Sequence, residues 1–141
     1  GVNDDATVEA LLAAARAGDP LARAALVDRE VDAAYRFAHV LTGDPTSAAA
    51  CVREGFARTW SEPDAASFGA RLLRAVAAAA RTHATGPGLR GLTEEARDVV
   101  ALQLATGLDY AALGDTLGVD RDTVRSRLQR GWLQLAGGTT P

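Results

Sequence analysis

Between residues 92 and 135 apolar positions recur at intervals of three and four, the spacing of one face of an α-helix, in three successive runs. Ala96, Val99, Val100 and Leu104 share a face in the first run. Tyr110, Leu113, Gly114 and Leu117 share one in the second, and Val124, Leu128 and Leu135 line the third. Gly107 and the pair Gly118-Val119 separate the runs. Gly118 stands where the backbone needs a positive φ or a close helix approach, and Val119 is placed to pin the turn into the core. Asp120 carries the short acceptor side chain of an N-cap. Helix, tight glycine turn, helix: the pattern predicts a helix-turn-helix.

The same periodicity runs through the first part of the chain. Residues 1–6 read as frayed, and 7–17 as a helix capped by Asp5 or Thr7 and stopped by Gly18. Asp19-Pro20 restarts a helix over residues 21–41, with an expected break near 28–32; Leu26, Val27, Val31, Ala34, Tyr35, Ala38 and Leu41 form its stripe. Thr42-Gly43-Asp44-Pro45 is a turn that opens a third helix, where Ala48, Cys51, Val52, Gly55, Phe56 and Trp60 recur. The run Ser61-Glu62-Pro63-Asp64 ends it. Ser67 caps a fourth helix over 68–81, striped by Phe68, Leu72, Val76 and Ala79. Residues 83–91, with Gly86-Pro87-Gly88, read as a flexible link. The chain is therefore all-α. A four-helix domain covers 1–83, a linker 84–91, a helix-turn-helix domain 92–136, and a disordered tail 137–141. A linker this short favours a compact pairing of the two units.

The last helix carries Arg121, Arg125, Arg127 and Arg130. At one hundred degrees per residue, Arg121, Arg125 and Ser126 point away from the Val124/Leu128 line. Arg127 lies beside that line, within reach of a phosphate or of a carboxylate across the helix border. The plainer alternative is a wet face whose arginines pair with Asp120 and Asp122. Trp132 sits off the apolar line beside Gly131, a helix-interior glycine. It either covers the flank of a thin core or meets a partner.

Composition narrows the classes. Of 141 residues 48% are apolar but only 5% aromatic, and alanine dominates, which favours closely packed helices over strands. All fifteen basic residues are arginine, and the net charge of -3 argues against indiscriminate coating of nucleic acid. Nine arginines face eleven acids before residue 85, and six face seven after it, so neither half is a basic domain. Cys51 is the single cysteine, which excludes an internal disulfide and reads as a buried thiol. No apolar run reaches the length of a membrane span and no signal peptide opens the sequence, so a cytoplasmic protein is expected.

Catalytic chemistry is not apparent. His39, His83 and Cys51 have no metal-ligand spacing, Glu94/Glu95 suit a helix start, and Gly86-Pro87-Gly88 lacks the lysine of a phosphate loop. The reading is of a non-enzyme with no metal, cofactor or small-molecule substrate.

The layout from Gly18 to Leu135 resembles the extracytoplasmic-function class of bacterial RNA polymerase sigma factors. Gly18-Asp19-Pro20, Tyr35-Arg36-Phe37-Ala38, Leu41-Thr42-Gly43-Asp44-Pro45 and the run from Val52 to Trp60 look like the core-binding helices of sigma domain 2. Residues 92–97, Gly107-Leu108-Asp109-Tyr110 and Gly118-Val119 to Arg130 look like sigma domain 4. Tyr110, Leu113, Leu117, Gly118, Thr123, Val124, Ser126, Arg127 and Leu128 stand in its register. The resemblance implies that Arg121, Thr123, Arg125, Ser126, Arg127 and Arg130 meet duplex promoter DNA. It implies that Leu41, Arg53, Glu54, Phe56, Arg58 and Trp60, with Trp132 added from the pattern, meet RNA polymerase core or another partner.

The sequence departs from the family in the domain 2 part. Ala49 and Ala50 occupy its acidic positions and Arg53 its glutamine. In the fourth helix Arg71 replaces a tryptophan, Ala77-Ala78 an arginine-asparagine pair, and Arg81 an aspartate. Few side chains are left there to capture a flipped base. Two functions follow as expectations: a sigma-like initiation protein that binds polymerase and promoter DNA, or a diverged module that docks a transcription regulator or anti-sigma partner without initiating transcription.

Overall fold

The structure, a computed structural model, describes residues 2–61 and 67–137, with side chains from Thr7 onward. Among the described residues there are seven α-helices and no strand: α1 (Val2–Arg16), α2 (Pro20–Thr42), α3 (Pro45–Ser61), α4 (Phe68–Ala80), α5 (Glu94–Thr106), α6 (Tyr110–Leu117) and α7 (Arg121–Leu135). The expected helix starts at Asp19, Ser67 and Asp120 are present. Asp19 accepts from the Leu21 N–H at 2.9 Å and Ser67 from the Ala70 N–H at 3.3 Å. Asp44 holds the Ser47 N–H at 2.8 Å, and that donation keeps its carboxyl below the usual range.

Two expectations in the first part fail. Helical backbone begins at Val2, so Asp5 and Thr7 lie inside α1 rather than capping it. Helix α2 runs unbroken through residues 28–32: Asp28, Arg29 and Asp32 face water, Val31 packs against the core, and Leu26 and Ala34 are fully buried. The break placed at residues 61–64 falls mostly outside the described residues, as do residues 138–141 of the expected tail.

The helices gather in two clusters. In the first, α2, α3 and α4 pack mutually and α1 lies along α2; in the second, α5 crosses α7 and α6 packs on α7. Helix α2 leans on α5, and α4 leans on α6. One hydrophobic cluster runs through both sets, from Phe37, Phe68 and Leu72 to Val99, Val100, Leu102, Leu113 and Val124. Full burial of such side chains contributes about 1.5–3 kcal/mol each. Close approach between α5 and α7 depends on Gly131: a Cβ there would sit 2.6 Å from Val100 Cγ2. The glycine that weakens the helix in isolation is what lets the two helices meet.

The connection expected to be flexible is packed instead. Gly86 donates to the Leu41 carbonyl at 2.8 Å, Pro87–Leu89 forms a 3-10 turn, and Leu89 and Leu92 are buried. Leu104 and Leu135 are 55% and 38% exposed, so they do not complete the apolar faces assigned to them.

Three arginines of the first cluster reach across to the second. Arg36 donates to the Ala105 carbonyl at 3.2 Å, near the end of α5. Arg74 donates to the carbonyls of Thr116 and Asp115 at 2.6 and 3.0 Å, near the end of α6. Both place a cation where a helix dipole is negative and its last carbonyls lack partners. Arg81 pairs with Asp98 at 3.1 Å and Glu94 at 3.3 Å.

Candidate nucleic-acid interface

Helix α6 ends at Gly118, whose φ of 74° is the left-handed value expected there, and its N–H returns to the Gly114 carbonyl at 2.8 Å. Val119 donates to the same carbonyl at 3.0 Å and is half-buried against the core. A Cβ on Gly114 would stand 2.6 Å from the Val119 carbonyl oxygen, so only glycine permits a turn this tight. Asp120 then accepts the Thr123 N–H at 2.7 Å, and that hydrogen bond holds its carboxyl below the usual carboxylate range.

Val124, Leu128 and Gly131 are the buried line of α7. Arg121, Arg125, Ser126, Gln129 and Arg130 are exposed. Arg125 pairs with Asp122 at 2.9 Å, but with side chains 54% and 87% exposed the pair is worth little and opens readily. Of the pairings in the wet-face alternative, Arg125–Asp122 is formed, and Arg127 lies close enough to Asp120 to help lower its carboxyl. Thr123 is half-buried beside its cap. Arg127 departs from the expected DNA set: it is half-buried and lines a cleft with Arg74, Arg81, Glu95 and Asp98. Its position next to the Val124/Leu128 line turns it inward, toward α4 and α5. A groove of about 630 Å³ runs beside the open face, between Leu92, Thr93 and Ala96 on one wall and Ser126, Arg130 and Leu133 on the other.

Trp132 is 41% exposed and donates through Nε1 to Gln103 Oε1 at 2.9 Å, so it rests on α5 and keeps an open flank.

On α3, Arg53, Glu54 and Arg58 are exposed, with Arg58 and Glu54 3.4 Å apart. Leu41 and Phe56 are 3% and 7% exposed and belong to the core, which corrects their assignment to a partner surface. Each falls on the inner stripe of its helix. Trp60 is half-buried, stacked on Phe56 and Phe68 with ring centroids 5.7 and 5.2 Å away, and the Arg23 guanidinium lies over it at 5.7 Å. Cys51 is fully buried, and burial first, then Glu54, pushes its thiol up.

Helix α4 offers less open surface. Arg71 is 5% exposed with its guanidinium 6.0 Å from the Phe68 ring, Arg74 is fixed to α6, and Arg81 is fixed to α5. Among the described residues no three His, Cys, Asp or Glu side chains are grouped to hold a metal ion, and no helix is long and apolar enough to cross a membrane.

No protein-family model matches this chain. No curated protein matches it significantly either.

The bridges that Arg36 and Arg74 make to the second cluster were missed by sequence reasoning. Their partners are main-chain carbonyls 69, 41 and 42 residues away, which no side-chain pattern marks.

Proposed function

We propose that the chain is a sigma-like transcription protein in which α6, the Gly118 turn and α7 act as a helix-turn-helix on duplex promoter DNA. Helix α3 serves as the docking surface for RNA polymerase core through Arg53, Glu54 and Arg58. The observation that carries this reading is the open face of α7, where Arg121, Arg125, Ser126 and Arg130 stand in water beside a tight turn. Arginine forks there suit guanine edges and phosphate oxygens.

A second reading draws on α4. Its surface is tied to α6 by Arg74 and to α5 by Arg81, which favours a module that docks a transcription regulator or an anti-sigma partner and leaves the duplex closed. Purified core polymerase, this chain and promoter DNA separate the two. An initiation protein yields permanganate-reactive thymines around the start site. Closed-complex binding without reactive thymines favours the second reading. Reversing both Arg53 and Glu54 is expected to release core polymerase in a pull-down, and retention removes α3 from the proposal.

A further inference from the structure

The two flanks of α7 differ in charge. Helix α6 and the turns at its two ends carry Asp109, Asp115 and Asp120, all exposed. On the α5 side, the groove of about 630 Å³ has Arg130 in its lining and, among the described residues, no carboxylate. The acids nearest to it in sequence are engaged elsewhere. Glu94 meets Arg81 at 3.3 Å, Glu95 lines the cleft of Arg74 and Arg127, and Asp122 pairs with Arg125.

The same groove holds unused hydrogen-bonding groups. Ser126, Gln129 and Gln134 form no side-chain hydrogen bond among the described residues. Thr93 Oγ accepts the Ala96 N–H at 3.2 Å, which leaves its own hydroxyl hydrogen to donate. Gln134 lies against the start of α5, with Nε2 3.6 Å from the place a Cβ would take on Gly91. Leu92, Ala96 and Leu133 supply the apolar part of the lining, and Leu133 is 51% exposed.

We propose that this groove takes one sugar–phosphate strand of the duplex, so that the start of α5 shares the DNA contact with α7. The proposal rests on the reading of α7 as a DNA-binding helix and adds where the duplex lies on it. Charge and continuity select the occupant. The groove opens beside exposed Ser126 and Arg130, and Arg130 is the one charged side chain in its lining. Hydroxyl and amide donors suit phosphate oxygens, and the apolar side chains suit the carbons of deoxyribose. A strand laid on the α6 side would instead meet three exposed carboxylates. The duplex therefore leans toward α5. Thr93, Gln129 and Gln134 hold its backbone in register without reading sequence.

A charge series at Leu133 in the full chain tests the placement, read by fluorescence anisotropy with a labelled duplex of mixed sequence. Leu133→Gln should match the parent within about twofold. Leu133→Arg should bind about threefold tighter and steepen the salt slope by about 0.9, the share of one added phosphate contact. Leu133→Glu should bind about tenfold weaker, with circular dichroism unchanged in all three. If Leu133→Glu loses helix, Gln134→Glu brings the same charge to the same groove and should weaken binding alike. Equal affinity across the series, with the parent still binding, overturns the placement and leaves the DNA reading of α7 standing. Equal weakening by glutamine and glutamate also overturns it, since that is the mark of an apolar contact. A parent that binds no duplex removes the DNA reading itself, and this placement with it.

Discussion

Helices α4 and α7 carry the same kind of side chain and use it differently. On α4 the arginines are absorbed by the protein: Arg71 lies under Phe68, Arg74 holds two carbonyls of α6, and Arg81 holds two carboxylates of α5. On α7, Arg121, Arg125 and Arg130 remain in solvent, and only Arg127 turns inward. The contrast follows from position. Residues 74 and 81 sit on the side of α4 that faces the second cluster, where Arg74 meets the carbonyl end of α6 and Arg81 meets the Glu94 and Asp98 carboxylates of α5. Arg121 and Arg125 of α7 are open to solvent, and Arg130 lines the groove that α7 forms with the start of α5. Arginine content alone therefore does not mark a ligand surface.

The comparison is sharpened most by removing the open face of α7. Arg121, Arg125 and Arg130 changed together to alanine should lower duplex affinity about 100-fold and reduce the salt slope by roughly three phosphates' worth. Fluorescence anisotropy reads both, and folding stability in urea should stay the same. Next is Arg74→Ala, expected to cost about 1.5–3 kcal/mol because a charged donor leaves two carbonyls. Urea unfolding measures it, and duplex affinity should not move. A loss of DNA binding without a loss of stability would reverse the roles given to the two helices.

Asp98→Asn acts in the opposite direction. Its carboxyl lies near 6, above the ordinary value of 3.8, so folding favours the protonated form. That stabilisation is complete below about pH 4 and disappears as the pH rises through about 6. At pH ~7.5 the asparagine variant should be more stable by about 1–2 kcal/mol, despite losing the charge opposite Arg81. Below pH ~4 the difference should vanish. Equal stability at both pH values would show that Arg81 already offsets the burial. The smallest effect is reserved for Arg127→Ala, which should change duplex affinity less than about threefold, since one distant charge contributes little. A larger loss would place Arg127 back among the DNA-facing residues.

Local chemistry made much of this architecture legible from the sequence. Asp19, Ser67 and Asp120 act as N-caps because a short acceptor side chain meets free amides wherever it stands. Gly118 was readable for a similar reason, since the turn needs a left-handed residue. Long-range effects were not readable. Gly131 reads as a weak spot in a helix until Val100 is placed against it. Arg74 reads as one more wet arginine until the end of α6 arrives beneath it. Leu41 and Phe56 resembled contact residues of a partner surface, yet their place on the inner stripes of α2 and α3 buries them. Of the candidate DNA set, helical angle alone separated Arg121, Arg125 and Ser126 from the core. It could not tell that Arg127 would find a cleft on its own side.

The most direct test of the open α7 face is the affinity of the unmodified chain for a labelled duplex across a salt series. With three arginines on phosphates, affinity should fall about 40-fold between ~50 and ~200 mM salt. Binding that ignores salt, or no binding at the lower concentration, would contradict the assignment of that face to DNA.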